Sequence, residues 1–306
     1  MKVMVAQNCG FCPGVKNAIS MAEEILTPLE NFPLLTGLKQ KKNVYSLGPI
    51  IHNRDMVERL ARTGLKTVDT VEEIPSESTV LIRSHGAAPE QIDKLKQKKV
   101  NIVDATCVLV KRVQQIAREL ERDGYKVVII GDENHPEVRA VVGCAAHVTV
   151  IASESDLCKL PKSGKLGIVG QTTQGPEQFG KIIGAIAAAG DFGEMKVINT
   201  LCKETIKRQE SAVELCRNVD IMFVLGGLES ANTRTLAKLC KKYNNQTFHL
   251  QNWSEFDKKI LFGKKVAGVT AGASTPEWII DEFVGNLSGY GGTLRPDESG
   301  FDGVRR

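Results

Sequence analysis

Three short segments of this 306-residue chain, each containing a cysteine, recur at one interval. They are GFC ending at Cys12, DATC ending at Cys107 and NTLC ending at Cys202, and the steps 12 to 107 and 107 to 202 both span 95 residues. A period this long is too large for a solenoid turn and suits a whole α/β unit. Three similar units, each delivering one thiol to a shared centre, point to a metal or iron–sulfur site on a pseudo-threefold axis.

Each unit reads alike from its cysteine onward. An apolar strand enters the cysteine (Val3 to Val5, Val100 to Val103, Val197-Ile198) and a helical stripe follows. The stripe is Val15, Ala18, Ile19, Ala22, Ile25 and Leu26 in the first unit; Val110, Val113, Ala117 and Leu120 in the second; and Ile206, Val213 and Cys216, a weaker pattern, in the third. A second strand ends in glycine and a polar cluster: LGPIIHN, IGDENHPE and LGGLESAN, which place His52, His135 and Ser230 four residues after the glycine. A helix and an edge strand come next. A third strand then ends in SHGAAPE, QTTQGPE or AGASTPE, and the closing Pro-Glu marks a helix start. Strand–helix alternation with short loops predicts parallel sheets covered on both faces, with ligands beyond the carboxyl ends of the strands. The expected fold class is therefore α/β, three similar lobes with mainly parallel sheets in a pseudo-threefold arrangement around a central cavity. The expected boundaries are 1–106, 107–199 and 200–284, with a Gly-rich tail over 285–306 that is either mobile or an added strand. The third unit lacks a final strand, which the N-terminal strand is available to supply. Residues 27–42 have no counterpart in the other units and read as a surface insertion.

A net charge of +4 and 5% aromatic residues argue against nucleic acid and suit a small anionic substrate or an acidic electron donor. No segment has the length of a membrane span, and the N-terminus does not read as a targeting peptide, so the expected location is the cytoplasm. Eight cysteines in a reducing compartment do not make a disulfide framework. Cys144, Cys158, Cys216 and Cys240 read as small buried hydrophobes. Cys9 forms a C-x-x-C pair with Cys12, but its repeat counterparts are Asp104 and Asn199, so it reads as a spectator.

Three thiolates fall one short of a structural zinc site. They suffice for a cubane cluster with one open iron, which is a Lewis acid and an electron source together; catalytic zinc and three unrelated core cysteines are the alternatives. His52 and His85 offer N–H donors, and Ser230, Asn232 and Ser274 offer neutral ones, a set that suits an anion. Each of these taken alone also reads as a structural or capping group. Glu137 is the one acid expected at a strand end inside the cavity. It reads as a proton donor oriented by His135 and Thr172, or simply as a first-turn acid of the helix after Pro136.

GFCPGV (10–15), IIHN (50–53), SHG (84–86), DATC (104–107), HPEV (135–138), QTT (171–173), RQE (208–210) and GVTAGAS (268–274) together resemble the LytB/IspH family of 4-hydroxy-3-methylbut-2-enyl diphosphate reductases, over residues 2 to 284. The resemblance implies an iron–sulfur reductase for the last step of the non-mevalonate isoprenoid pathway. Its substrate loses a hydroxyl and gains two electrons, giving isopentenyl and dimethylallyl diphosphate. The resemblance further implies one [4Fe-4S] cluster on Cys12, Cys107 and Cys202, with an open iron that meets the substrate hydroxyl. His52, His85, Ser230, Asn232 and Ser274 are implied to hold the diphosphate. His135, Glu137 and Thr172 are implied to form a proton path that also faces the substrate, with ferredoxin or flavodoxin as electron donor. The implied fold is a cloverleaf of three α/β lobes. Two positions depart from the family pattern: Ala231 stands where a serine is usual, and Val108 stands where proline follows the second cysteine. The rival functions are a non-redox iron–sulfur hydro-lyase, an iron–sulfur sensor or scaffold, and a zinc hydrolase.

Overall fold

The computed structural model describes residues 1–27, 43–289 and 304–305. Strands and helices alternate along the chain: β1 (Lys2–Ala6), α1 (Pro13–Leu26), β2 (Val44–Leu47), α2 (Arg54–Arg62), β3 (Leu65–Val68), β4 (Thr79–Ile82), α3 (Pro89–Gln97), β5 (Asn101–Asp104), α4 (Val108–Arg122), β6 (Lys126–Ile130), α5 (Pro136–Val142), β7 (Val148–Ile151), β8 (Ser163–Gly170), α6 (Pro176–Ala189), β9 (Asp191–Val197), α7 (Lys203–Cys216), β10 (Ile221–Leu225), α8 (Ala231–Tyr243), β11 (Thr247–Leu250), β12 (Val266–Ala271), α9 (Glu277–Ser288) and β13 (Val304–Arg305).

These strands form three sheets with one wiring. Their orders are β3-β2-β4-β5, β7-β6-β8-β9 and β11-β10-β12-β1-β13. All pairings are parallel except the antiparallel match of β13 to β1. In the third sheet β1 fills the place that β5 and β9 hold in the other two, with Val3 opposite Ala267 and Val5 opposite Val269. Part of the C-terminal tail adds a strand, Val304–Arg305, beside β1. The expected insertion over 27–42 lies outside the described residues, apart from Thr27.

The sequence builds these sheets as fully covered strands. Ile221 to Leu225 are all buried, as are Val127 to Ile130 and Val80 to Ile82. Such unbroken apolar runs mark strands buried on both faces. On α4 the buried residues are Val110, Val113, Ile116, Ala117 and Leu120, one helical stripe. Val113, Ile116, Ala117 and Leu120 join Val127, Ile129 and Val169 in one core, in which each fully buried Val, Leu or Ile side chain contributes about 1.5–3 kcal/mol. A second core joins Val3, Val5, Phe223, Val269, Ile280 and Phe283.

Two details depart from the sequence reading. On α7, Ile206 and Val213 are only half-buried, while Thr205, Arg208, Gln209, Ala212, Leu215 and Cys216 are buried. The inward face of this helix is small and polar around one arginine, so an apolar stripe did not mark it. Of the four cysteines read as buried, Cys216 and Cys240 are, Cys144 is half-buried and Cys158 is exposed. Cys158 sits in the short 3-10 turn Glu154–Lys159 between β7 and β8, none of whose residues is buried.

The chain divides into two compact units. One comprises Met1–Cys12, His52–Arg54 and Cys202–Arg306, and the other comprises Pro13–Ile51 and Asp55–Leu201. Among the described residues no helix is long and apolar enough to cross a membrane.

Candidate active site

In the first unit, Cys12 and Cys202 each stand immediately before a helix. Cys202 is the N-cap of α7 and makes no side-chain capping bond, and Cys12 immediately precedes Pro13 of α1. The backbone N–H of Cys12 donates to the Ala273 carbonyl at 3.1 Å, tying its loop to the turn after β12. That loop needs glycine at position 10: Gly10 has φ +85°, and a Cβ there would meet Ile280 Cδ1 at 3.0 Å. Arg208 of α7 is only 4% exposed. Its Nη1 donates to the carbonyls of Asn8 (2.8 Å) and Ala271 (2.7 Å), and its Nη2 donates to that of Gly10 (2.8 Å). Burial pulls the guanidinium below its ordinary pKa, while Cys9, Cys12, Glu204 and Cys202 draw it back up; it remains a cation at any working pH.

In the second unit, Cys107 caps α4 in the same way, again with no side-chain capping bond. Its N–H donates to the Ser84 carbonyl at 2.9 Å, the counterpart of the Cys12 link to Ala273. Three residues earlier, Asp104 accepts from the N–H and hydroxyl of Thr106 and pairs with Lys111 at 2.6 Å. Burial pushes Asp104 up, but Lys111 and Thr106 outweigh it and hold the carboxyl below its usual range. Asn199, three residues before Cys202, makes the equivalent turn, accepting from the Leu201 N–H at 3.0 Å. These side chains replace backbone partners where each strand breaks into its cysteine turn. Cys9 occupies the third such position, where Gly10 and Arg208 shape the loop instead.

The same unit carries the acid. Glu137 is 2% exposed and accepts from Thr172 twice, from its N–H at 2.6 Å and from its hydroxyl at 2.7 Å. Burial raises its pKa from 4.5 to about 6, against the pull of both Thr172 bonds. His135 is the N-cap of α5, and its Nδ1 accepts the Glu137 N–H at 3.2 Å, which leaves the proton of a neutral ring on Nε2. The His85 and His135 rings meet edge to face with centroids 5.4 Å apart. Gln171 accepts from the Asp132 N–H at 3.0 Å and donates to Thr173 at 2.8 Å, bracing the β8 turn that presents Thr172.

In the first unit, Ser230 is the N-cap of α8 and accepts the Thr233 N–H at 3.3 Å. Ser274 reaches the Ser230 hydroxyl at 3.5 Å and donates to the His52 carbonyl at 3.3 Å. The main chain of Gly227 lies so near His52 that a Cβ there would be 2.6 Å from its carbonyl oxygen. Asn232 is 9% exposed, and its side-chain nitrogen has no hydrogen-bond partner among the described residues. This is a set of convergent donors at a helix N-terminus, with one donor left over. Position 231 falls at the first residue of α8 and position 108 at the first residue of α4, where Val108 is 76% exposed.

Thus His52, Ser230, Asn232, Ser274, Cys12 and Cys202 belong to one unit, and His85, His135, Glu137, Thr172 and Cys107 to the other. Sequence reasoning passed over Arg208 as a functional residue and missed the turns made by Asp104 and Asn199. The signal for the turns was available in their shared position three residues before a repeated cysteine. For Arg208 there was only its place in the RQE motif.

The LytB protein family matches residues 3–288. A protein of Citrifermentans bemidjiense named 4-hydroxy-3-methylbut-2-enyl diphosphate reductase is 41% identical, covering 94% of this chain and 97% of its own. A protein of the same name from Pelobacter propionicus is 42% identical, over 94% of this chain and 98% of its own. Among solved structures, an (E)-4-hydroxy-3-methyl-but-2-enyl diphosphate reductase described as the terminal enzyme of the non-mevalonate pathway superposes with a TM-score of 0.68 at 39% identity, covering 94% of this chain and all of that one. The E-1-hydroxy-2-methyl-but-2-enyl-4-diphosphate reductase of Plasmodium falciparum superposes with a TM-score of 0.85 at 27% identity, over 94% of this chain and 88% of that one. With a match that spans nearly the whole chain, the chain belongs to the LytB protein family.

Proposed function

We infer that this chain is an enzyme, a 4-hydroxy-3-methylbut-2-enyl diphosphate reductase that forms isopentenyl and dimethylallyl diphosphate in the last step of the non-mevalonate pathway. The observation that carries the reading is its likeness, over nearly its full length, to relatives of that name. The net change removes the substrate hydroxyl as water and consumes two electrons and two protons. We assign Cys12, Cys107 and Cys202 as the three ligands of one [4Fe-4S] cluster. The donor set fits such a group: three thiols, each at the turn before a helix N-terminus, and a buried guanidinium within electrostatic reach of two of them. When bound, the cluster would supply electrons and one open iron as a Lewis acid.

The chain's own residues do the rest. We assign diphosphate binding, and with it the orientation of the hydroxylated carbon, to His52, His85, Ser230, Asn232 and Ser274. The unpartnered Asn232 nitrogen gains a hydrogen bond only when an anion arrives. Thr172 holds the Glu137 carboxyl in place through two hydrogen bonds. A carboxyl raised to about 6 is partly protonated near neutrality and can give its proton to the departing hydroxyl. The Glu137 backbone N–H fixes the His135 ring through Nδ1, and His135 shares substrate contact with Thr172. Electrons come from a one-electron donor protein, ferredoxin or flavodoxin, in the cytoplasm.

The deciding experiment supplies the hydroxylated allylic diphosphate anaerobically, with and without dithionite. Both C5 diphosphates should form only with reductant. Turnover without reductant would make the chain a hydro-lyase, and no turnover in either arm would overturn the assignment.

A further inference from the structure

Arg208 carries a charge that its own surroundings do not neutralise. It is almost fully buried, and among the described residues no carboxylate lies within ion-pair distance of it. Glu204, one turn earlier on α7, acts on it from farther away and is engaged with Lys207 at 3.6 Å. Its three hydrogen bonds among the described residues all go to main-chain carbonyls, and its Nε–H has no partner there. A buried cation without a counter-charge is expensive. The remaining groups that act on it electrostatically are sulfurs: Cys9, Cys12 and Cys202.

The hydrogen bonds have a second consequence. Asn8 and Gly10 belong to the loop that delivers Cys12, and Ala271 ends the neighbouring strand β12. Arg208 lies six residues after Cys202 on its helix. One planar fork therefore ties the Cys12 loop, the end of β12 and the helix of Cys202 together. Lysine has a single nitrogen and cannot reproduce that geometry.

We propose that Arg208 is a positioning residue for the cluster, fixing the Cys12 loop to the Cys202 helix and setting a permanent positive charge within electrostatic reach of both sulfurs that favours the reduced state. The proposal rests on the assignment of Cys12 and Cys202 as cluster ligands. Adding an electron to an anionic centre is easier beside a fixed cation, and potentials of such centres follow local charge and hydrogen bonding.

Two variants separate the two roles: Arg208→Lys keeps the charge and loses the fork, and Arg208→Gln loses both. In the metal-free protein, hydrogen exchange of amides 8–12 should quicken about tenfold or more in both variants, with the β10 amides unchanged. After anaerobic reconstitution, Arg208→Gln should show a more negative midpoint potential than wild type, and Arg208→Lys a value close to wild type. Equal exchange and equal potential in Arg208→Gln would overturn the proposal while leaving the function intact. If neither variant folds, Arg208 is a core residue only and the proposal fails. A wild-type protein that takes up no iron and sulfide overturns the functional reading and this inference with it.

Discussion

Around Glu137, each carboxylate oxygen accepts a bond from Thr172, and the backbone N–H goes to His135. At the start of α8, by contrast, the Asn232 nitrogen is buried with no partner among the described residues, beside two serine hydroxyls that reach one another only at 3.5 Å. Both groups sit at the carboxyl ends of parallel strands in sheets of the same wiring. One is a closed network that holds a buried carboxyl in a fixed place. The other is an open set of donors with one bond left unmade among the described residues. A protein that must deliver a proton and also bind an anion needs both arrangements, and the repeated unit supplies the same scaffold for each.

The largest effect should come from the closed network. Glu137→Gln should lower kcat about 10²- to 10⁴-fold with KM nearly unchanged, read by steady-state turnover with the cluster content verified. Retained turnover would remove the proton role. A loss confined to KM would move Glu137 into the substrate-binding group and erase the contrast.

Next in size is the stability of the same network. Thr172→Val leaves the buried carboxyl short of a donor and should cost about 1–3 kcal/mol by urea denaturation. The folded pKa of Glu137 lies above its ordinary value, so its contribution is fully present below about pH 4.5 and is lost as pH rises through about 6. Between those limits the wild type should lose on the order of 2 kcal/mol relative to Glu137→Gln. Equal pH dependence in the two proteins would contradict the buried-acid reading.

The open set should answer in the opposite sense. Asn232→Ala should weaken diphosphate binding about tenfold, which is about 1.4 kcal/mol, with little change in kcat. Because the amide nitrogen has no partner to lose, the free protein should lose less stability than with Thr172→Val. The smallest effect belongs to Ala231→Ser, which restores a hydroxyl at the first residue of α8. It should tighten diphosphate binding by up to about 1 kcal/mol, measured by titration calorimetry under anaerobic conditions. No change would mean that the position does not face the ligand.

Much of the fold could be read directly. The equal cysteine spacing, the glycine four residues before His52, His135 and Ser230, and the Pro-Glu helix starts all express backbone requirements that recur with the unit. The vacancy in the third unit was visible for the same reason, and β1 lies beside β12 in that place. The inward face of α7 was not legible, because hydrophobic periodicity records apolar burial and this helix buries Thr205, Arg208 and Gln209. Nor did composition reveal that Cys158 is exposed, since exposure there depends on which layer covers a short turn. The site residues were legible as strand-end positions. Their contrast was not: whether a buried polar atom is satisfied depends on distances such as those from Thr172 to Glu137, which no pattern encodes.

The proposed chemistry needs Cys12, Cys107 and Cys202 to hold one cluster whose fourth corner is left for the substrate. Mössbauer spectra of the anaerobically reconstituted protein, with and without the hydroxylated allylic diphosphate, test it most directly. About four irons per chain are expected, as for a cubane, with one iron distinct from the rest and altered when the diphosphate is added. Four equivalent irons that ignore the diphosphate, or no bound iron, would contradict it.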